Sequence, residues 1–132
     1  MGNCCWGCFV DTLQTYFEGV VMDRPRIIAV DFDGCLCEEN WPNIGEPILE
    51  NIEYIKACKE AGDKIILWTC RAGKDLQVAL KWCKEQGIIF DYINKNAQEA
   101  FDMFGHLEES RKIFADVYLD DKCVNIGRKN EI

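Results

Sequence analysis

Four stretches of the chain carry the apolar, largely β-branched residues of buried strands, and each stops at a polar or turn-forming position: Arg26 to Asp31, Lys64 to Thr69, Ile88 to Ile93 and Phe114 to Leu119. Two stretches of helical periodicity separate the first three. Pro47 to Ala61 sets Ile48, Ile52, Ile55 and Cys58 at helical spacing, with proline near its start and Gly62 just past its end. Asp75 to Gln86 places Leu76, Ala79, Leu80 and Cys83 on one face and stops at Gly87. Alternation of strand and helix predicts right-handed crossovers and a parallel sheet. The expected fold class is therefore α/β: one doubly wound, Rossmann-like three-layer sandwich over residues 26–132, with no cap domain. Asn94 to Ser110 reads as a short helix and a loop. Residues 1–25 read as a leader, with Val10 to Val21 offering a turn or more of helix against the sheet.

Length agrees with this picture, since 132 residues suffice for one hydrophobic core and little else. Fifteen basic against twenty-three acidic residues give a net charge of −8. That charge opposes a phosphate backbone, so nucleic acid is not an expected partner. No apolar run approaches the roughly 20 residues of a membrane-spanning helix, and the start lacks the charged-then-apolar pattern of an export signal. The expectation is a cytoplasmic protein without a membrane partner. The nine cysteines are odd in number and follow no such signal, which predicts mostly reduced thiols rather than a disulfide scaffold. Cys58, Cys70 and Cys83 are expected to be small core residues.

Several chemistries are excluded by inventory. One histidine, His106, and one serine, Ser110, stand four positions apart, which makes a Ser-His-Asp triad a poor reading. Two-histidine metal motifs and the GxxxxGK[ST] phosphate loop are absent, as is a cysteine followed six residues later by arginine.

The positive signal is acidic. "IIAVDFDGC" runs from a buried strand into Asp31 and Asp33, and "VYLDDK" does the same into Asp120 and Asp121. Ligands of open α/β sheets bind beyond the carboxyl ends of the strands, where Asp31, Thr69 and Asp120 all fall. Each acid alone could be a turn or helix cap. Carboxylates gathered at one sheet edge repel unless a cation sits among them, and an all-oxygen donor set suits Mg²⁺ better than zinc.

These residues resemble the haloacid dehalogenase-like (HAD) hydrolase superfamily, and among its members the small, capless, phosphatase-like proteins of bacteria and phages. The first motif of the superfamily, DxDG followed by Thr or Val, stands as Asp31-Phe32-Asp33-Gly34-Cys35. Thr69 in "IILWTC" is similar to motif two, Lys112 to motif three, and the pair Asp120 and Asp121 to motif four. The resemblance implies a phosphomonoesterase. Asp31 would be the nucleophile that forms an aspartyl phosphate and Asp33 the general acid and base. Asp31, the Asp33 carbonyl and Asp120 would hold Mg²⁺, with Asp121 joining directly or through water. Thr69 and Lys112 would hold the phosphoryl oxygens, with Arg71 or Arg111 in place of Lys112 if that lysine points away. Cys35 departs from the motif, as a packing residue or a redox-sensitive one.

The segment Cys35 to Glu46 is too short for a folded cap. It reads as a flap, with Trp41 either a lid or a surface residue packed on the domain. An uncapped site lies open unless a second subunit of a homo-oligomer covers it. The expected partner is a small phosphorylated substrate. Competing readings are a degenerate binding or regulatory module and a phosphatase for polymer ends such as a nucleic-acid 3′-phosphate. At the amino terminus, Gly2 and the adjacent Cys4 and Cys5 stand where dual acylation occurs, but Trp6 stands where the pattern wants Ser or Thr, and the expected reading is a short leader of exposed or loosely packed thiols. Cys5 and Cys8 form a CxxC without an identifiable fourth zinc ligand.

Overall fold

A computed structural model describes residues 24–105 and 108–124. Residues 1–23 of the leader, with the helix expected at Val10 to Val21, the acylation and CxxC readings, and His106 lie outside the described residues. In chain order the elements are β1 (Ile27–Val30), α1 (Leu49–Glu60), β2 (Lys64–Leu67), α2 (Gly73–Glu85), β3 (Tyr92–Ile93), α3 (Gln98–Phe104) and β4 (Val117–Leu119). The strands form one four-stranded sheet in the order β3-β2-β1-β4, and every pairing is parallel. The expected α/β class with a parallel sheet is what the chain forms.

β1 lies inside the sheet, and its four residues are all buried. A parallel strand covered on both faces must be apolar without interruption, which is why "IIAV" shows no alternation. The strand period of two then divides the core. Ile28 and Val30 join Ile65 and Leu67 under Ile52, Ile55 and Cys58 of α1 and Ala79 and Cys83 of α2. Ile27, Ala29 and Ile66 face the other way, onto Ala97, Ala100, Ile113 and Ala115. Helices therefore cover both faces of the sheet.

Two predicted strands are shorter than expected because side chains take over backbone pairing. Ile88 donates its N–H to the Cys83 carbonyl at 3.0 Å, closing α2 behind Gly87, whose φ of +81° suits the left-handed exit of a helix. The carboxylate of Asp91 then accepts from the Ile65 N–H at 2.8 Å and pairs with Lys59, and only Tyr92 and Ile93 remain as strand. Before β4, the Asp116 carboxylate accepts the Ile27 N–H at 2.8 Å and binds Arg24 in a two-pronged pair. The chain at Phe114 to Asp116 follows those contacts instead of the ladder.

Residues 35–48 form a flap rather than a cap domain. Its two sides are joined by hydrogen bonds from Glu38 N–H to the Glu46 carbonyl and from Ile48 N–H to the Leu36 carbonyl. Among the described residues no helix is long and apolar enough to cross a membrane.

Candidate active site

All four strands point the same way, so their carboxyl ends share one edge of the sheet. The β1–β4 register sets Val30 opposite Leu119, and the Asp31 N–H continues it by donating to the Leu119 carbonyl at 2.9 Å. Asp31 and Asp120 are thereby the first residues beyond two neighbouring strands. Asp121 completes the group: one carboxylate oxygen from each of Asp31, Asp120 and Asp121 lies within 4.8 Å of the others. Asp120 and Asp121 are exposed and Asp31 is half-buried. Burial, together with the charges of Asp120, Asp121 and Asp33, pushes the Asp31 carboxyl up to about 6, against the pull of the Phe32 N–H that donates to it at 2.8 Å.

Close approach of the two acidic turns depends on Gly34. It adopts φ +79°, and a Cβ at this position would collide with the Asp121 carboxylate. Gly34→Ala is accordingly expected to cost about 1–3 kcal/mol in urea denaturation. The acidic group should also spread, because Asp121 must retreat from Asp31. Unchanged stability would show that the approach is unimportant.

Asp33 has a different setting from the other three acids. Arg71 grips it with a fork, Nε to Oδ2 at 2.8 Å and Nη2 to Oδ1 at 2.7 Å. The same guanidinium donates to the flap carbonyls of Pro42 at 3.2 Å and Asn43 at 3.0 Å, and it lies 5.0 Å from the centre of the Phe32 ring. Arg71 is buried. Expected as a phosphate ligand, Arg71 instead has all three nitrogens committed to Asp33 and the flap. Asp33 contributes no carboxylate oxygen to the group formed by Asp31, Asp120 and Asp121.

Thr69, two residues beyond β2, lines the same cleft as Asp31, Asp33 and Asp120. Its N–H donates to the Asn94 side chain at 2.8 Å, and its hydroxyl accepts from the Arg71 N–H at 3.1 Å. Asn94 holds a φ of +54°, a conformation asparagine tolerates, and thereby fixes the turn that carries Thr69.

The lysine expected from sequence is elsewhere. Lys112 is exposed with Nζ 5.5 Å from the centre of the Tyr118 ring, and it does not line the cleft. Lys122 does line it, its Nζ 3.2 Å from an Asp121 oxygen and its N–H 2.9 Å from an Asp120 oxygen. Its position directly after the acidic pair was the one available signal. Cys70 corrects a further expectation, for it is exposed on the cleft wall rather than in the core, whereas Cys58 and Cys83 are buried. All six described cysteines are free. Cys35 is buried with its thiol against the Leu119 carbonyl, and burial beside the acids pushes it up to about 12. Such a thiol is protonated and unreactive, which favours the packing reading.

The cleft encloses about 570 Å³ and is also bordered by Glu39, Trp41 and Trp68. Trp41, on the flap, borders the cleft and is 59 % exposed.

A solved structure of a conserved protein coded by a locus from Bacteroides thetaiotaomicron is similar to this chain, with 38 % sequence identity and a TM-score of 0.65 over 76 % of this chain and 79 % of the other. The chain belongs to the same family as that conserved protein. No protein-family model matches the chain, and no curated protein does.

Proposed function

We propose that this protein is a HAD-like, doubly wound hydrolase that removes phosphate from a small phosphomonoester with the help of Mg²⁺. One observation carries the reading: carboxylate oxygens of Asp31, Asp120 and Asp121 converge within 4.8 Å at the mouth of a parallel sheet, and Asp31 and Asp120 line a cleft together with Thr69. The donor set fits the metal, because it is all oxygen and its mutual repulsion is what a divalent cation relieves. Asp31, Asp120 and Asp121 would hold the ion through side chains, with Asp33 limited to its backbone carbonyl. Bound there, Mg²⁺ neutralises charge on the phosphoryl oxygens and keeps Asp31 ionised.

The remaining chemistry belongs to the chain. An Asp31 oxygen attacks phosphorus and forms a new P–O bond as the P–O bond to the alcohol breaks; Asp33 gives the departing oxygen its proton. Water then attacks the aspartyl phosphate, returns a proton to Asp33 and releases inorganic phosphate, restoring Asp31. For this, Asp33 first turns one oxygen out of the Arg71 fork and takes up a proton there from solvent, and the water step restores that proton in each cycle. Thr69 and Lys122 supply donors to the phosphoryl oxygens; Lys122 takes the part expected of Lys112.

The test is hydrolysis of an aryl phosphate by the full chain with Mg²⁺ and with excess chelator. Activity is expected only with the metal. Lys122→Ala is expected to raise KM about tenfold by removing a charged donor, whereas Lys112→Ala leaves KM within about twofold. Metal-independent turnover would reject the reading, and equal effects of the two lysine variants would reject the role of Lys122. A different reading, a binding or regulatory module without turnover, is favoured by one observation, the engagement of both Asp33 oxygens by Arg71. Saturable phosphate binding without hydrolysis would select it.

A further inference from the structure

The cleft is larger than a phosphate and its metal require. Its volume of about 570 Å³ falls in the range of roughly 300–1,000 Å³ that encloses whole small molecules. Beyond the acids and Thr69, the walls that remain for the alcohol part of a substrate include Trp41, Trp68 and Glu39. Trp68 is anchored by packing against the core under α3, while Trp41 borders the cleft from the flap and is largely exposed.

Charge decides what these rings would cover. Asp33 is neutralised by Arg71 and Asp121 is paired with Lys122. Asp31 and Asp120 face the proposed metal position. Glu39 makes no hydrogen bond or ion pair among the described residues, although it lies near enough to Lys122 to raise the affinity of that lysine for its proton. One surplus carboxylate beside two indoles attracts a cation, because the negative face of an aromatic ring and a carboxylate act in the same sense. An alcohol part that carried a second phosphate would meet repulsion from Glu39.

We infer that the substrate is the phosphate monoester of a cationic alcohol, with a quaternary ammonium group held by Trp41, Trp68 and Glu39. This rests on the phosphatase reading for the reaction, but the cation subsite exists independently of turnover. A quaternary group suits the walls better than a primary amine: rings and a single carboxylate provide too few acceptors for the three donors of an ammonium group, and a methylated cation asks for none.

Two measurements test the inference, the first of them separately from the phosphatase reading. In one, tryptophan fluorescence of the protein in saturating Mg²⁺ is followed during titration with choline and with 3,3-dimethylbutan-1-ol, the same shape with carbon in place of the charged nitrogen. Choline is expected to give a saturable change at least about tenfold tighter than the neutral alcohol, and Glu39→Gln and Trp41→Ala are each expected to reduce that ratio below about threefold. In the other, kcat/KM for phosphocholine is compared with that for the neutral dimethylbutyl phosphate on the same enzyme, where the expected ratio is again about tenfold. Equal titrations of choline and the alcohol, or a ratio untouched by Glu39→Gln, would overturn the inference, as would a preference for nucleotides or sugar phosphates. Turnover of esters without a cation preference sinks the subsite and leaves the phosphatase standing. Selective choline binding with no turnover of any ester does the reverse.

Discussion

Asp31→Asn is expected to lower kcat by about 10⁴-fold or more, the scale of removing a nucleophile from a catalytic group that acts as a unit, while making the metal-free protein more stable. The gain in stability follows from the electrostatics of the site. Asp31 is half-buried among Asp120, Asp121 and Asp33, and its carboxyl is held at about 6, against about 3.9 in an unfolded chain. Below pH 4 the group is neutral in both states and costs nothing. As pH rises from about 4 to about 6 the unfolded chain gives up this proton first, so unfolding becomes easier; above pH 6 the cost is constant. Solvent reaches the group, which screens the interaction and limits the cost to about 1–2 kcal/mol. Urea denaturation without metal should therefore show Asp31→Asn above wild type at pH 7, with the gap closing near pH 4. Added Mg²⁺ should reverse the order at pH 7, because binding to the folded state stabilises the chain that keeps all three carboxylates. Retained phosphatase activity in the variant would remove Asp31 from its role, and a variant less stable than wild type at pH 7 without metal would contradict the crowding of charge around it.

How much of this was legible in the sequence depends on the distance over which each cause acts. β1, α1 and α2 are local: a continuous apolar run, a helical period and a terminal glycine are properties of neighbours in the chain, and the observed elements fall within two residues or so of the expected ones. The convergence of Asp31 and Asp120 was also readable, because a parallel sheet brings all strand ends to one edge. What could not be read are side-chain partners from distant segments. Asp91 and Asp116 shorten β3 and β4 by capturing backbone N–H groups of β2 and β1, and nothing near either residue announces this. The choice between Lys112 and Lys122 turns on the path of the chain before β4, where Tyr118 folds its hydroxyl back to the Ile113 carbonyl at 2.6 Å and draws the Lys112 region to its ring. Cys70 follows an apolar run and resembles core, yet the strand has ended at Leu67 and the residue belongs to the cleft. Arg71 was the hardest to read, since its partner Asp33 is 38 positions away.

That pair also sets the largest expected loss of stability. Arg71→Ala is expected to destabilise the protein by about 3–5 kcal/mol, because removing one partner of a buried, hydrogen-bonded ion pair leaves the other charge uncompensated. The Arg71 side chain is 1 % exposed and that of Asp33 17 %, so water replaces little of what is lost. The carbonyls of Pro42 and Asn43 lose their donors at the same time, and Phe32 loses the guanidinium on its face. The flap that carries Trp41 is thereby released from the first acidic turn. Arg71→Lys should recover little, as an ammonium group cannot fork onto a carboxylate and reach two further carbonyls while lying flat on a ring. Urea denaturation gives the size of the effect, and a cycle with Asp33→Asn gives its origin. If the pair is the cause, the double variant loses clearly less than the sum of the two single variants, by about 1 kcal/mol or more on the scale of about 0.5–3 kcal/mol seen for groups in contact. Additive losses would place the contribution of Arg71 in the flap carbonyls and the Phe32 ring instead.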